Sequence, residues 1–479
     1  MKSQWAFKSG VVLILWLGLL PRVLGASASR EPQYRSMLDK ITAQYPPSVV
    51  LILADGLGYG ELGCYGQSEV KTPNLDRLAA EGIRYTDFYA GSPSAVAARC
   101  SLITGRHSGH ASLRGDEGHP LPQGEMTLAR MLSPAEYQTT LLGSWGLGLA
   151  GTSGEPLQAG FNEVRALLDL GRASDPFPTE LYRNGEAWTL SANQGGARGQ
   201  YFPDLLLLMG TNFLKTAQYR PFLFIYSPTL PHSAAEPKEA AGVQSRSIQQ
   251  GIYSTKNWHP TDKKRAALIS RLDRDVGLLM ASLEANRLFK NTYVFFTSDG
   301  GPRSASHTNA SALKSTGAFR GGNGDLLEGG IRVPMIAWSP TKIPGGRVSD
   351  QPWAAWDLVP TVAELTGATK PKGIDGISMA RSLHGLVQTN RHEYLYWETH
   401  EPHTRQAIRM GQWKGLRSAL DAPLALYDLK TDPAEKQDVA SSHPEVVAKL
   451  ESYLKTARTG NSLWPLKPAS QAKSATPNP

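Results

Sequence analysis

Two acidic residues, an arginine and a histidine occupy positions from which they could act together on an anion or a metal ion. Asp55 and Asp299 each follow a continuous apolar run that is typical of a buried parallel strand. Carboxyl ends of such strands share one edge of a sheet and gather ligands there, so the two acids can meet. Arg99 is predicted on the first turn of a helix beginning near Ala95, whose N-terminus also favours an anion. His232, taken alone, is more typical of a loop histidine than of an acid catalyst.

The elements that must position these residues alternate along the chain. Apolar runs predict buried strands at 47–55, 139–143, 221–227, 291–299 and 333–338. Thr72 is predicted to cap a helix with Pro73 in its first turn, and a long amphipathic helix is predicted at 264–286. This alternation predicts an α/β fold with a mainly parallel central sheet flanked by helices. Later segments predict a small C-terminal antiparallel sheet plus helix, with strands at 393–399, 406–409, 412–417 and 425–428 and the helix at 443–458.

Length and composition predict one large α/β domain with a smaller one. The 479 residues are 41% hydrophobic and 19% charged, unlike a disordered or fibrous chain. The N-terminus has basic residues, then an apolar run, then small residues near Gly25, which is the pattern of a cleaved signal peptide. This pattern predicts a secreted or periplasmic protein without a stable membrane span. The alternative is an uncleaved membrane anchor. The predicted segments are a signal peptide at 1–25, a lead-in at 26–46, an α/β domain at 47–388, a C-terminal subdomain at 389–465 and a disordered tail at 466–479.

Charge and cysteine content narrow the classes of ligand. The formal net charge is +8, and loss of Lys2, Lys8 and Arg22 with the signal peptide lowers it to +5. This mild basicity is compatible with an anionic polymer as ligand, and equally with an evenly solvated surface. No basic block or aromatic–basic ladder supports nucleic-acid binding. Two cysteines, Cys64 and Cys100, leave a disulfide open, and no zinc motif is present.

Long stretches of the sequence resemble the arylsulfatases of the alkaline phosphatase superfamily, in order over about residues 47–458. The likeness is carried by LILADGLGYGELGCYG, KTPNLDRLAAEGIRYTDFYAGSP, LITGR, LLGSWGLG, ELYRNGEAW, PFLFIYSPTLPH, ISRLDRDVG, VFFTSDGGP, EGGIRVPMIAWSP and LYDLKTDPAEKQDV. The resemblance implies that active relatives oxidise a motif cysteine or serine to formylglycine, whose hydrate attacks the sulfate ester. It also implies a calcium ion and basic side chains that stabilise the charge on sulfate.

The nucleophile is missing at the position where the resemblance places it. The family motif is Cys or Ser, any residue, Pro, Ser, Arg, with Thr-Gly-Arg a few residues later. Aligned without a gap on residues 104–106, the motif begins at Ala95 and only Arg99 fits. An alanine methyl cannot become formylglycine and cannot attack sulfur. Ser94 is a candidate substitute, although a serine out of register points elsewhere, and it is also the predicted cap of the helix.

The metal signatures are each reduced to one ligand. The first is a pair of acids in the family and is Asp55 followed by Gly56 here. The second is Asp-Asn and is Asp299 followed by Gly300 here. Two carboxylates supply at most four of the six to eight oxygens that calcium takes. Two alternatives therefore stay open: a weak Ca²⁺ or Mg²⁺ site, or two acids that keep the positions they have in the family but bind no metal. Without metal, the carboxylates repel unless Arg99 or another cation pairs with them.

The sulfate-binding and proton-donating positions are also changed. The lysine and histidine of Gly-Lys-Trp-His-Leu-Gly are Ser144 and Gly146 here, and a later lysine is Asn323. The Pro-His that follows the strand at 221–227 is intact, which predicts His232 in the wall of the site. Groups of both signs are lost together, as expected for a charged site that has become more neutral.

Three hypotheses follow from this pattern. The leading one is a secreted pseudoenzyme that keeps the fold, has lost sulfate ester hydrolysis and binds a sulfated or anionic glycan, or another partner, at the old pocket. The second is an active hydrolase of sulfate, phosphate or carboxylic esters that uses a metal-bound water or Ser94. The third is a structural subunit that pairs with an active relative.

Overall fold

The computed structural model describes residues 46–116, 118–217, 220–232, 251–302 and 312–471. The predicted signal peptide and nearly all of the lead-in lie outside the described residues, as do the last eight residues of the predicted tail. No helix in the described part of the chain combines the length and apolarity that a membrane crossing requires.

A ten-stranded mixed sheet positions the candidate site. Its ten strands in chain order are β1 (Ser48–Ala54), β2 (Ile83–Tyr85), β4 (Gln138–Ser144), β5 (Glu163–Leu167), β6 (Glu180–Arg183), β7 (Glu186–Thr189), β8 (Phe222–Ser227), β9 (Thr292–Ser298), β10 (Met335–Trp338) and β11 (Arg347–Ser349). Two further strands, β3 (Phe88–Tyr89) and β12 (Trp353–Ala354), form a separate short pair. The spatial order is β11-β2-β10-β9-β1-β8-β4-β5-β6-β7. The five middle strands, β9 to β5 in that order, are all parallel, whereas β10 and β6 begin antiparallel edges. The predicted fold class is confirmed.

Helices cover both faces of this sheet. They are α1 (Pro73–Glu81), α2 (Ala95–Thr104), α3 (Leu128–Leu132), α4 (Phe202–Thr216), α5 (Pro260–Ala285), α6 (Glu328–Ile331), α7 (Leu358–Thr366), α8 (Ala380–Leu383) and α9 (Pro444–Leu454). Strand β1 is apolar from Val49 to Ala54 because its alternate residues enter two different cores. One core takes Val49, Leu51 and Leu53, beside residues of α2 and α7. The other takes Val50, Ile52 and Ala54, beside residues of α1, α4 and α5.

The cap of α1 differs from the prediction. Thr72 precedes the helix, but its hydroxyl donates to Asp76 and does not cap the helix. The backbone amides of Asn74 and Leu75 donate instead to the carboxylate of Asp273 on α5, at 3.3 and 2.8 Å. The predicted role of Thr72 was wrong because a carboxylate from a distant part of the chain reaches these amides.

A four-stranded antiparallel sheet follows the large sheet, as predicted. Its strands are β13 (Leu395–Thr399), β14 (Arg405–Met410), β15 (Trp413–Arg417) and β16 (Ala425–Asp428), and α9 packs on it. Residues 466–471 of the predicted tail are described and include a short 3-10 turn at Ala469–Gln471. Both cysteines, Cys64 and Cys100, are free thiols.

A buried network of charges joins the small sheet to the large domain. The Lys414 ammonium on β15 lies 2.9 Å from a Glu328 oxygen and 2.8 Å from a Glu435 oxygen, and all three side chains are fully buried. Arg332 also pairs with Glu328, at 3.0 Å. Burial would raise the pKa of Glu328, but Lys414 and Arg332 lower it to about 2. This contact therefore depends on charge balance as well as on apolar packing.

Candidate functional site

The two acids predicted to meet at the carboxyl edge of the sheet lie next to each other. Ala54 and Ser298 are partners in the parallel pairing of β1 and β9, so Asp55 and Asp299 leave the sheet side by side. The Asp299 amide donates to the Ala54 carbonyl at 3.1 Å. Both acids are buried, and their backbone positions are fixed by the sheet itself.

Arg99 is held against Asp299 by several contacts. It is the fifth residue of α2, one turn further along than the predicted first turn. Its guanidinium lies 2.9 Å from a carboxylate oxygen of Asp299, and the two side chains are 4% and 2% exposed. It also donates to the Ser144 carbonyl and the Ser227 hydroxyl, each at 2.8 Å. The cation is therefore engaged inside the protein, and it balances the charge of one of the two acids.

His232 lies at the same edge, on the side of Asp55. The Asp55 amide donates to the Leu230 carbonyl at 2.9 Å, and Asp55 forms an isolated parallel bridge with Pro231. These contacts bring Nδ1 of His232 to 3.5 Å from a carboxylate oxygen of Asp55. The pair is ionic only while the imidazole is protonated. The histidine therefore lies beside Asp55 at the carboxyl ends of the strands, and its role in the wall of a site stays a prediction.

The calcium ion that the resemblance implies does not fit the donor set. Asp299 uses one oxygen to accept the Gly56 amide at 2.9 Å and the other to pair with Arg99. Gly56 and Gly300 supply no side-chain oxygen, although a Cβ at Gly300 would have no heavy atom nearer than 3.8 Å. Calcium takes six to eight oxygens, and the described side chains at this edge fall well short of that number.

The N-terminus of α2 carries an internal anion. Ala95, the predicted nucleophile position, begins the helix and is buried. Ser94 stands at the N-cap position, but its hydroxyl donates to the Asp116 carboxylate at 2.6 Å and makes no capping bond. The same Asp116 oxygen accepts the Val96 amide at 3.0 Å. The predicted capping role of Ser94 was wrong, because Asp116 supplies the negative charge that a helix N-terminus favours.

The positions where the family carries a lysine and a histidine have been filled differently. Ser144 is fully buried, and its hydroxyl donates to the Ser227 carbonyl at 3.2 Å. Gly146 has φ +84°, and a Cβ there would lie 2.5 Å from a methyl carbon of Leu170. Leu170 therefore occupies the space that a side chain at 146 would need. Asn323, the later lysine position, reaches the site by donating to the Pro93 carbonyl at 3.4 Å.

Restoring a histidine at this place should destabilise the protein. We expect Gly146→His to lower the free energy of unfolding by about 1–3 kcal/mol through overpacking against Leu170, in addition to the strain of a positive φ. The double variant Gly146→His with Leu170→Ala should lose less free energy of unfolding than the sum of the losses in the two single variants, because the smaller side chain at 170 leaves room for the histidine. Gly151→His is the matched control, since Gly151 has φ +76° and no neighbour within 4 Å. Urea unfolding measures the stability of the two single variants, the double variant and the control. Fully additive losses in the double variant would contradict the assignment of Leu170 to the space beside Gly146.

Three residues of the site were not predicted from the sequence. Ser227 ends an apolar strand at the carboxyl edge, so the rule that found Asp55 would also have found it. Asp116 lies in an irregular connection and Leu170 begins a short 3-10 helix, Leu170–Ser174, and in neither place does a periodic sequence pattern indicate where the side chain points.

A second group of potential metal ligands, His107, His110 and Asp375, lies beyond the end of α2. Their ligand atoms are within 4.8 Å of one another. The Gly109 amide donates to Nδ1 of His107 at 3.1 Å, which leaves the proton of the neutral ring on Nε2. Burial lowers the pKa of His107 to about 4 despite the nearby Asp375. Nε2 of His107 lies 3.7 Å from a carboxylate oxygen of Asp375, too far for a hydrogen bond, and Nδ1 is occupied by the Gly109 amide. Neither ring nitrogen therefore presents a free lone pair, and this arrangement opposes metal binding.

Comparison with known protein families agrees with this geometry. A family model described as Sulfatase matches residues 47–368, and one described as N-sulphoglucosamine sulphohydrolase, C-terminal, matches residues 325–460. The chain is 30% identical over 410 residues to N-acetylgalactosamine-6-sulfatase of Canis lupus familiaris, covering 78% of this chain and 72% of that protein. It is 29% identical over 461 residues to arylsulfatase A of Homo sapiens, covering 85% and 86%.

Solved structures give the same relationship. The structure of Ps i-CgsB in complex with k-i-k-neocarrahexaose superposes with a TM-score of 0.74 at 25% identity, over 89% of this chain and 96% of that one. The PsFucS1 sulfatase from Pseudoalteromonas sp. superposes with a TM-score of 0.68 at 23% identity, over 90% and 94%, and supports the fold alone. By sequence and by fold, this chain belongs to the sulfatase family.

Proposed function

We propose that this protein is an exported member of the sulfatase family that does not hydrolyse sulfate esters by the formylglycine route. The observation that carries the proposal is Ala95 at the first position of α2, where the family has its nucleophile. A methyl group has no lone pair, so no covalent intermediate can form on it. The proposed organisation is a signal peptide at 1–25, an α/β domain at 47–388 and a C-terminal subdomain at 389–465, with secretion or periplasmic export.

The remaining groups of the site support the same proposal. Arg99 pairs with Asp299 and donates to Ser144 and Ser227, so most of its guanidinium is engaged within the protein. The space beside Gly146 holds the apolar side chain of Leu170 where a proton donor would stand. Catalysis of ester hydrolysis needs charge stabilisation and proton transfer at the reacting atoms, and both are reduced here.

We propose a carbohydrate as the ligand of the altered pocket. With the family's lysines replaced, His232 and Asn323 offer hydrogen bonds to hydroxyl groups rather than a clamp for a dianionic ester. The similarity to Ps i-CgsB, solved with a neocarrahexaose, supports a saccharide ligand. A sulfated or otherwise anionic glycan remains within this proposal.

A panel of aryl sulfates, carbohydrate sulfates and phosphate esters tests the loss of activity. We expect no release of sulfate or phosphate above the rate without protein, because no nucleophile stands at position 95. Ala95→Cys alone should also be inactive, since the modifying enzyme that the family requires reads a proline two positions later and Ala97 stands there. Ion chromatography of the products measures both proteins. Turnover by the unchanged protein, or turnover gained by Ala95→Cys, would contradict the proposal.

The second candidate function is hydrolysis by a substitute serine. The 2.6 Å bond from the Ser94 hydroxyl to Asp116 favours it, because a carboxylate in that place can accept the proton of an attacking hydroxyl. Release of product that disappears in Ser94→Ala and persists in the neighbouring Ser92→Ala would establish this route and overturn the first proposal.

A further inference from the structure

A polar cleft lies at the opposite edge of the large sheet from Asp55 and Asp299. Its volume is about 350 Å³, and it is lined by Tyr137, Gln138, Asn162, Glu163, Asn184 and Arg220. These residues stand at or beside the amino ends of β4, β5 and β8 and in the turn between β6 and β7. Gln138 at this edge and Ser144 are six residue steps apart on β4, a distance of about 20 Å along the strand. The cleft is therefore separate from the site of the preceding sections.

Two asparagines enter the cleft in the same pose. The carboxamide oxygen of Asn162 accepts the backbone amide of Thr139 at 2.7 Å, and the backbone amide of Asn162 donates to the Thr139 carbonyl at 2.9 Å. Asn184 repeats this pairing with Val164, at 2.7 Å through its carboxamide oxygen and 3.2 Å through its backbone amide. Each carboxamide has thus used its oxygen on a strand, and its NH₂ group remains as a donor.

The charge of the cleft is positive. Glu163 uses one carboxylate oxygen to pair with Arg165 and the other to accept the Gln138 carboxamide at 3.2 Å. Its negative charge is therefore balanced within the wall. Arg220 is exposed and forms no ion pair with any residue that the structure describes. Of the groups left for a ligand, a guanidinium and two NH₂ groups are donors, and the carboxamide oxygen of Gln138 is an acceptor.

We propose that this cleft binds an oxyanion carried on a saccharide, either a sulfate or a carboxylate group. A set of groups in which donors outnumber acceptors and include an arginine can recognise an oxyanion, because Arg is suited to its planar or tetrahedral oxygens. The volume falls at the lower end of the range for small-molecule sites, which accommodates one sugar ring beyond the bound group. The buried Tyr137, whose hydroxyl donates to the Pro47 carbonyl at 2.7 Å, forms part of the fixed lining. This proposal does not depend on the activity at Ala95.

Calorimetric titration of the full-length protein tests the proposal with four probes. They are N-acetylglucosamine 6-sulfate, glucuronate, N-acetylglucosamine and inorganic sulfate. We expect the two anionic sugars to bind at least tenfold more tightly than the neutral sugar and than inorganic sulfate. Preference for the sulfated sugar or for glucuronate identifies which oxyanion is favoured, and either preference supports the proposal.

Two variants locate the binding to the cleft. Asn162→Asp keeps the oxygen that accepts the Thr139 amide but replaces the donor with an anionic oxygen, and Arg220→Ala removes an exposed charge. Each should weaken binding of the anionic sugars at least tenfold. Arg391→Ala, which removes another exposed arginine, should leave binding unchanged. No detectable binding of either anionic sugar, affinities unaffected by Arg220→Ala, equal binding of the neutral sugar, or equal binding of inorganic sulfate would each overturn the proposal.

Discussion

Arg99→Met is expected to lower the free energy of unfolding by about 3–5 kcal/mol, the usual cost of leaving a buried charge without its partner. Asp299 would lose the guanidinium that lies 2.9 Å from its carboxylate, in a place where both side chains are nearly inaccessible to water. The Ser144 carbonyl and the Ser227 hydroxyl would lose a donor at the same time. Urea unfolding followed by circular dichroism measures the change.

A double variant separates the charge from the packing. Asp299→Asn removes the unbalanced charge yet keeps an oxygen that can accept the Gly56 amide. The combination with Arg99→Met should therefore be more stable than Arg99→Met alone. Arg77→Met is the control, because Arg77 forms only surface ion pairs, with Glu81 and Glu284, and such pairs contribute about 0–1 kcal/mol. An Arg99→Met protein as stable as the Arg77→Met protein would show that the buried pair has no structural role.

Lys414→Met is expected to produce a loss of similar size, about 3–5 kcal/mol. Two carboxylates, Glu328 and Glu435, would be left facing each other in a fully buried position between β15 and the large domain. Methionine fills nearly the same volume as the lysine stem, so the loss reports the charge rather than a cavity. Urea unfolding at neutral pH measures it.

Acid titration gives an independent test of the same network. The pKa of Glu328 is lowered from 4.5 to about 2, so its contribution to stability is complete above pH 4.5 and is lost as the pH falls toward 2. Lys414→Met removes the main attraction that lowers this pKa, and the variant should lose much of that acid dependence. Lys256→Met is the control, since its pair with Glu69 is 44% exposed on both sides. The same small loss for both lysines would contradict the role assigned to Lys414.

The sequence predicted the parts of the site that follow from strand order. Asp55 and Asp299 end apolar runs, and parallel strands bring such ends together regardless of their separation in the chain. The long helix at 264–286 and the strands of the small sheet were predicted for the same reason, since their burial pattern is local. The short strands β2 and β11, at one side of the sheet, have three residues each, too few for a periodic pattern to identify.

The partners of the site residues could not be predicted in this way. Asp273 reaches α1 from almost two hundred positions away, and Asp116 reaches α2 from an irregular segment. A serine or threonine before a helix is a sound local signal, but a carboxylate from elsewhere binds free amides more strongly. Leu170 fills the space beside Gly146 for a similarly non-local reason, because its position depends on the path of a loop.

The pairing of Arg99 with Asp299 gives the carboxyl edge of the sheet a counterion that is part of the chain. The occupancy of a dissociable ion rises and falls with its concentration in the surrounding medium. A guanidinium tethered by a helix has a local concentration that is fixed by the fold. The ends of β1 and β9 can therefore keep this charge pair equally in ion-poor and ion-rich surroundings.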